Sequence, residues 1–214
     1  LVTQGIAGSR IMIVRPSEYY SPLNLSFIEP TDLTANPSPV DNIIIAPQEY
    51  LSQAETIAGI YRDHYGLTTR VIDQQTIFDQ FNGGHPDPVA LRQYLRYVYH
   101  NFSGTGSNRL SSLTLIGLGT IDWVNTSGQS APRNKVIVYQ RGDTQSDDWY
   151  GMLTNDSFPE LAIGRYPVKT TTELNTMIEN FRNYTVNPTP GMWRNSVVML
   201  ADDLYNGPNT PYED

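Results

Sequence analysis

The sequence contains no cysteine among its 214 residues. Within this stretch a disulfide bond, a thiolate metal site and a cysteine nucleophile are therefore all excluded. The absence says little about the redox compartment, because a domain of this length can bury an adequate core without covalent cross-links.

Basic residues and long apolar runs are also scarce. The chain has 14 Lys and Arg against 22 Asp and Glu, a formal net charge of −8. Nucleic acids and anionic membrane surfaces are bound by clustered Lys and Arg, so neither is a predicted partner. No apolar run approaches the roughly 20 residues of a membrane span, and the N-terminus lacks the basic-then-apolar pattern of a signal peptide. Direct membrane insertion is therefore not predicted.

The first 40 residues differ from the rest. Residues 10–15 form a candidate short strand. Prolines interrupt the remainder of this segment, at Pro16, Pro22, Pro30, Pro37 and Pro39. Such a pattern predicts an extended connector. We interpret residues 1–40 as a linker or the tail of a preceding β-rich domain, in a chain excised from a longer protein because it begins at Leu1 rather than Met.

From residue 42 onward, candidate strands and helices alternate. Apolar, β-branched runs predict strands at 42–46, 67–72, 112–116, 135–139, 161–164 and 196–200. Helical spacing of apolar residues predicts helices after Pro47, over 76–81, after Asp87 and over 172–184. Parallel strands need crossover connections of this length, so the pattern predicts an α/β fold with three α/β/α layers and a mostly parallel sheet.

Three turn signals mark predicted helix ends. Gly66 is placed to end the first helix in the left-handed conformation that glycine adopts readily, and Gly83 and Gly84 stop the short helix at 76–81. Asp87, directly before Pro88, is typical of an N-cap followed by proline in the first helical turn.

Ligands of open α/β sheets collect beyond the carboxyl ends of the strands. Gly117, Leu118 and Gly119 follow one such strand. A phosphate loop would need a third glycine that is missing here, so a plain turn at the strand end is the favoured interpretation.

An acidic loop contains Asp143, Asp147 and Asp148. Closely spaced carboxylates of this kind can bind calcium, which takes six to eight oxygen ligands. The alternative is a solvated loop with an aspartate-capped turn.

Asp202 and Asp203 directly follow a predicted buried strand. A rigid strand would hold such carboxylates in place for a functional role, and the alternative is that they cap the following turn. His64, His85 and His100 have no neighbouring Ser or Cys arranged as a nucleophile, which favours a structural role for each.

Two linked motifs resemble a known family. Residues 146–151 read Ser-Asp-Asp-Trp-Tyr-Gly, and residues 159–168 read Pro-Glu-Leu-Ala-Ile-Gly-Arg-Tyr-Pro-Val. In this order they resemble the signature of the gingipain-type cysteine peptidase family. The likeness extends over about residues 40–203, and it is greatest to the branch that contains the cell-surface sortase of the type IX secretion system of Bacteroidetes.

The resemblance implies a caspase-like fold of two adjoining α/β/α subdomains. Residues 41–190 would be the first subdomain, and residues 191–214 the opening strand of the second. The family cleaves or transfers peptide bonds with a Cys nucleophile and a His base, both expected beyond this chain. It also implies a protein or peptide substrate, contact with the rest of the peptidase domain, and a secreted or outer-membrane-associated location.

Carried over by position, Asp203 is the carboxylate that would orient the downstream His, and Asp202 is the alternative if the register slips by one. No cofactor is required by this chemistry. Structural calcium recurs in the family, which adds to the interest of Asp147 and Asp148. Leu118 departs from the family, which has an acidic residue there.

A second hypothesis is a non-catalytic α/β module that serves as a binding or scaffold element in cell-surface protein assembly. An H-G motif followed by a strand ending in Cys in the continuation of the protein would favour the enzyme.

Overall fold

The computed structural model describes residues 15–18, 27–29, 31–35, 38–102, 110–123, 125–128, 134–142 and 144–199. The chain divides into two compact units, Leu1–Thr31 and Asp32–Asp214. In the first unit, Pro16–Glu18 forms a 3-10 helix. All but the last residue of the predicted strand at 10–15 lie outside the described residues.

The second unit contains the predicted sheet. Its strands are β1 (Asn42–Ala46), β2 (Thr69–Asp73), β3 (Ser112–Ile116), β4 (Tyr139–Arg141), β5 (Thr144–Ser146) and β6 (Ala162–Tyr166). Four of them form a parallel sheet in the order β2-β1-β3-β6, and β4 pairs with β5 as an antiparallel hairpin. The helices are α1 (Leu51–Tyr65), α2 (Gln74–Asn82), α3 (Pro88–Asn101) and α4 (Thr171–Thr185).

Helices cover both faces of this sheet. Because side chains alternate along a strand, Ile43 and Ile45 of β1 join a core with α2 and α3. Ile44 and Ala46 join a second core with α1 and α4 on the opposite face. The three-layer α/β/α architecture is therefore confirmed.

The predicted helix ends are confirmed as well. Gly66 and Gly83 follow α1 and α2 with φ of 68° and 59°, in the left-handed region. The Asp87 carboxylate accepts the Val89 N–H at 2.7 Å at the start of α3. None of the helices in the described ranges is long and apolar enough to cross a bilayer.

Residues 135–138 are a correction to the predicted strand at 135–139. Val136, Ile137 and Val138 are buried, but a strand begins only at Tyr139 and pairs in the hairpin. The position beside β3 is filled by β6, and the Lys135 N–H binds the Leu118 carbonyl in the turn after β3 instead. The apolar run is therefore buried as a segment that crosses the carboxyl edge of the sheet.

The predicted strand at 196–200 is also corrected over its described part. Met192–Asn195 forms a 3-10 helix, and residues 196–199 form no strand. Val197, Val198 and Met199 are 81–89 % exposed.

The resemblance places this strand in the second subdomain, whose sheet would supply its partner strands. None of the described strands of this chain pairs with residues 196–199.

Part of the predicted linker, from Asp32 onward, belongs to the second unit. The Leu33 N–H donates to Gln80 Oε1 at 2.7 Å, and Leu33 packs against the core on the side of α2 and α3. Val40 is only 2 % exposed. Residues 32–40 therefore contribute to the α/β unit.

Candidate functional site

The carboxyl edge of the parallel sheet is the place where a site is expected. β1 lies between β2 and β3, and the connections that leave β1 and β2 run over opposite faces of the sheet. A crevice at such a reversal is the usual binding site of open α/β sheets. Here the turn at residues 117–119, the crossing segment 135–138 and the β4–β5 hairpin meet above this edge.

The turn after β3 lies very close to the crossing segment. At two positions of the turn, only glycine fits. Gly117 has a φ of 133°, and a Cβ there would lie 2.4 Å from Lys135 Cβ. A Cβ on Gly119 would lie 2.7 Å from the Val136 carbonyl oxygen. Close backbone approach therefore explains both glycines without a bound phosphate.

Arg165 of β6 is the centre of the network at this edge. Its Nε and Nη2 donate to the two Asp147 carboxylate oxygens, each at 2.7 Å. Nη1 donates to the Gly117 and Val136 carbonyls at 2.7 and 3.0 Å, and Nη2 also reaches the Ile137 carbonyl at 3.4 Å. The two side chains are 13 % and 23 % exposed. One guanidinium thus joins β6 to the turn, the crossing segment and the residue after the hairpin.

This pairing bears on the predicted calcium site. Both Asp147 oxygens are engaged by Arg165, and the Asp147 side chain does not cap the short 3-10 helix that follows it. Asp148 is exposed, and Asp143 lies outside the described residues. Among the described residues no group of three or more His, Asp or Glu side chains is placed to hold a metal. Calcium at Asp147 and Asp148 stays a prediction without support from the described geometry.

Tyr150 and Gly151 continue the first motif. The buried Tyr150 hydroxyl donates to the Ile137 carbonyl at 2.9 Å, and burial raises the pKa of this phenol. A Cβ on Gly151 would lie 2.9 Å from Ile163 Cδ1. Both residues therefore hold the 3-10 helix Asp148–Gly151 against the crossing segment and β6.

Glu160 of the second motif fixes the loop between the 3-10 helix and β6. Its carboxylate accepts the Leu153 N–H at 2.5 Å, the Thr154 N–H at 3.3 Å and the Thr154 hydroxyl. Desolvation alone would raise the pKa of Glu160, but these hydrogen bonds together outweigh it and hold the pKa below its usual value.

Sequence reasoning did not find a second group of polar residues at the edge. Lys135 Nζ pairs with Glu49 Oε1 at 2.7 Å and lies 5.8 Å from the centre of the Tyr50 ring. The Gln74 side-chain amide donates to the Lys135 carbonyl. These residues come from separate parts of the chain, and no motif links them.

An aromatic stack anchors the hairpin to α3. Trp149 stacks on Tyr139 with ring centres 3.9 Å apart and an interplanar angle of 8°. The Arg92 guanidinium lies 4.6 Å from the Trp149 ring, and its Nε donates to the Met152 carbonyl at 2.8 Å. The hairpin is thus attached to both the sheet and the helical layer.

The predicted catalytic carboxylates, Asp203 and its alternative Asp202, lie outside the described residues. Their role stays a prediction. Of the predicted site residues, the structure places Asp147 in the network of Arg165 and leaves Asp148 exposed beside it.

A family model and two solved structures are similar to this chain. The model of peptidase family C25 matches residues 35–214. The crystal structure of dimeric latent PorU from Porphyromonas gingivalis is 24 % identical, with a TM-score of 0.58 over 68 % of this chain and 15 % of that chain. The complex of the RgpB pro- and mature domains from the same organism is 20 % identical, with a TM-score of 0.48 over 67 % of this chain and 28 % of that chain. No curated protein sequence matches significantly.

The two structures are similar to this chain to different degrees and over different shares of their lengths. The similarity to latent PorU shows a common α/β fold. This chain spans only 15 % of the latent PorU chain and 28 % of the RgpB chain.

Proposed function

The chain belongs to peptidase family C25, and from this premise we propose that it is the first α/β/α subdomain of an exported gingipain-like cysteine peptidase or secretion-system sortase. The reaction would be the cleavage or transfer of a peptide bond in a protein substrate. The observation that carries the proposal is the family match over residues 35–214. The protein would act outside the cell or at the cell surface, in association with the outer membrane.

This chain would support the site rather than perform the covalent step. It contains no cysteine, so the proposed nucleophile would come from another part of the protein. The sheet and the rigid network around Arg165 would form one wall of the substrate cleft and a surface for the rest of the peptidase domain. The proposed reaction would require no cofactor, because a thiolate and an imidazole suffice for acyl transfer.

Asp203 is the residue proposed to act on the catalytic His. A carboxylate that accepts the imidazole Nδ1–H selects the correct tautomer and stabilises the imidazolium that forms when the thiol is deprotonated. Asp202 would take this role if the strand register differs by one residue. In either case the carboxylate positions the base and does not touch the substrate.

The test is Asp203→Asn in the complete peptidase domain that contains this chain, with Asp202→Asn as the matched control. We expect Asp203→Asn to lower kcat on the order of 10²-fold or more, with little change in KM or Tm. The control should retain near-normal kcat. Equal activity of both variants and the parent domain would remove Asp203 from the mechanism, and the reverse pattern would assign the role to Asp202.

A second candidate function is a non-catalytic scaffold module in cell-surface protein assembly. The network is compatible with this function, because Asp147, Tyr150, Glu160 and Arg165 of the signature all bind other parts of this chain. The two candidates are separated by the continuation of the protein. A downstream H-G motif and a strand ending in Cys favour the peptidase, and their substitution favours the scaffold.

A further inference from the structure

A pocket of about 220 Å³ opens at the carboxyl edge, between the turn after β3 and the β4–β5 hairpin. Its lining comes from the turn, the crossing segment, the hairpin and β6: Leu118, Gly119, Val138, Gln145, Ser146, Asp147 and Arg165. Neither of the two motifs predicted this pocket, since its walls come from four separate segments.

The walls of the pocket are held before any ligand binds. The Leu118 N–H donates to the Val168 carbonyl at 2.9 Å, and the Leu118 carbonyl accepts the Lys135 N–H at 2.7 Å. Gly119 lies close to both Val136 and Val138, and Val138 is only 6 % exposed. A rigid wall lowers the entropy that a ligand loses on binding.

The charges in the lining cancel each other. Of the described lining residues, the charged ones are Asp147 and Arg165, which form a two-point ion pair. The remaining Arg165 donors bind backbone carbonyls. A charged ligand group would therefore lose hydration here without meeting an unpaired opposite charge among the described lining residues, whereas an uncharged side chain would contact Leu118 and Val138.

We propose that this pocket is a specificity subsite that accepts one uncharged side chain of a peptide and rejects Lys, Arg, Asp and Glu at that position. Leu118 and Val138 contact the apolar part of the side chain, and Gln145 is the exposed residue of the lining. That the ligand is a peptide rests on the proposed function.

The first experiment measures peptide binding to the chain by NMR. The probes are N-acetyl-Ala-Xaa-Ala-amide peptides in which Xaa is Leu, Thr, Lys or Glu. We expect the Leu and Thr peptides to shift the backbone amides of Leu118, Gly119 and Gln145, with Kd values about tenfold lower than those of the Lys and Glu peptides. Absence of shifts at these amides with every probe, or equal binding of all four, would overturn the proposal.

The second experiment adds one negative charge at two neighbouring positions. Gln145 lines the pocket, whereas the adjacent Thr144 points to the opposite face of β5 and is outside the lining. Both side chains are exposed, so neither change should impair folding. We expect Gln145→Glu to strengthen binding of the Lys peptide several-fold and Thr144→Glu to change it little. Equal effects of the two variants would overturn the pocket as the site of contact.

The subsite and the proposed peptidase function can be tested and can fail independently of each other. If the complete domain cleaves peptides but Gln145→Glu leaves its side-chain preference unchanged, the subsite is wrong and the peptidase stands. If the chain binds the Leu peptide at this pocket and the complete domain cleaves nothing, the subsite stands and the peptidase is wrong.

Discussion

The parallel sheet and the network at its carboxyl edge are held together by different forces. In β1 every residue is buried, and each face of the strand packs against helices through apolar contacts. At the edge, the turn, the crossing segment and the hairpin are joined by one ion pair and a set of hydrogen bonds to backbone carbonyls. Apolar burial tolerates many residue combinations, whereas the network depends on particular donors at particular places.

Arg165→Ala is expected to have the largest effect on stability, and it should weaken the network at the edge before it weakens the parallel sheet. It leaves the Asp147 carboxylate and the Gly117 and Val136 carbonyls without their donor, so we expect a loss of about 3–5 kcal/mol in the free energy of unfolding. Hydrogen exchange should accelerate at residues 117–119 and 135–147 before it does in β1. Arg141→Ala, at an exposed position of the same hairpin, is the control. Uniform acceleration across β1 and the edge would show that the two regions are one cooperative unit.

Tyr150→Phe is expected to have a smaller effect at the boundary of the two regions. The change removes the hydroxyl that donates to the Ile137 carbonyl and keeps the buried ring. The Ile137 carbonyl then keeps only its 3.4 Å contact with Arg165 Nη2, and the loss of one hydrogen bond costs about 0.5–1.5 kcal/mol, which urea unfolding would measure. Tyr184→Phe, at a side chain that is 61 % exposed, should change stability little. Similar values for both variants would contradict a role for the hydroxyl in anchoring the crossing segment.

Glu160 makes the edge sensitive to acid, which is the smallest of the three expected effects. Its pKa is lowered in the folded state, so its stabilising contribution is present above the pKa of the unfolded chain, near 4.5, and is lost as the pH falls through the folded value. Glu160→Gln should lower Tm at pH 6, and the difference from the parent chain should shrink as the pH falls below about 4.5. A constant difference from pH 6 to pH 3 would show that the carboxylate charge plays no part.

The prediction from sequence succeeded where the pattern was local. The helix ends at Gly66 and Gly83 and the N-cap at Asp87 depend on the neighbouring residues alone, and all three were confirmed. The strand at 135–139 was wrong because an apolar run predicts burial and does not say whether a neighbouring strand is free to pair with it. Lys135 bonds to Leu118 in the turn instead.

In the candidate site, too, local patterns were predicted from sequence and contacts between distant residues were not. The motifs drew attention to Asp147, but its partner Arg165 is 18 residues away along the chain, and nothing in the spacing reveals that they form an ion pair. The residue types alone suggested calcium at Asp147, because an acidic loop looks the same in sequence whether its carboxylates face a metal or an arginine. Asp203, the residue with the most direct catalytic interpretation, depends on the resemblance alone.

The sequence by itself determined the α/β alternation, the helix boundaries, the lack of a cysteine nucleophile and the resemblance to the family, because these follow from residue identity and short-range periodicity. The tertiary structure decided which residues of the signature meet, where the apolar run at 135–138 goes, and that a pocket lies beside the ion pair of Arg165 and Asp147. Those outcomes depend on contacts between distant segments, and such contacts are set by packing of the whole unit rather than by any local pattern.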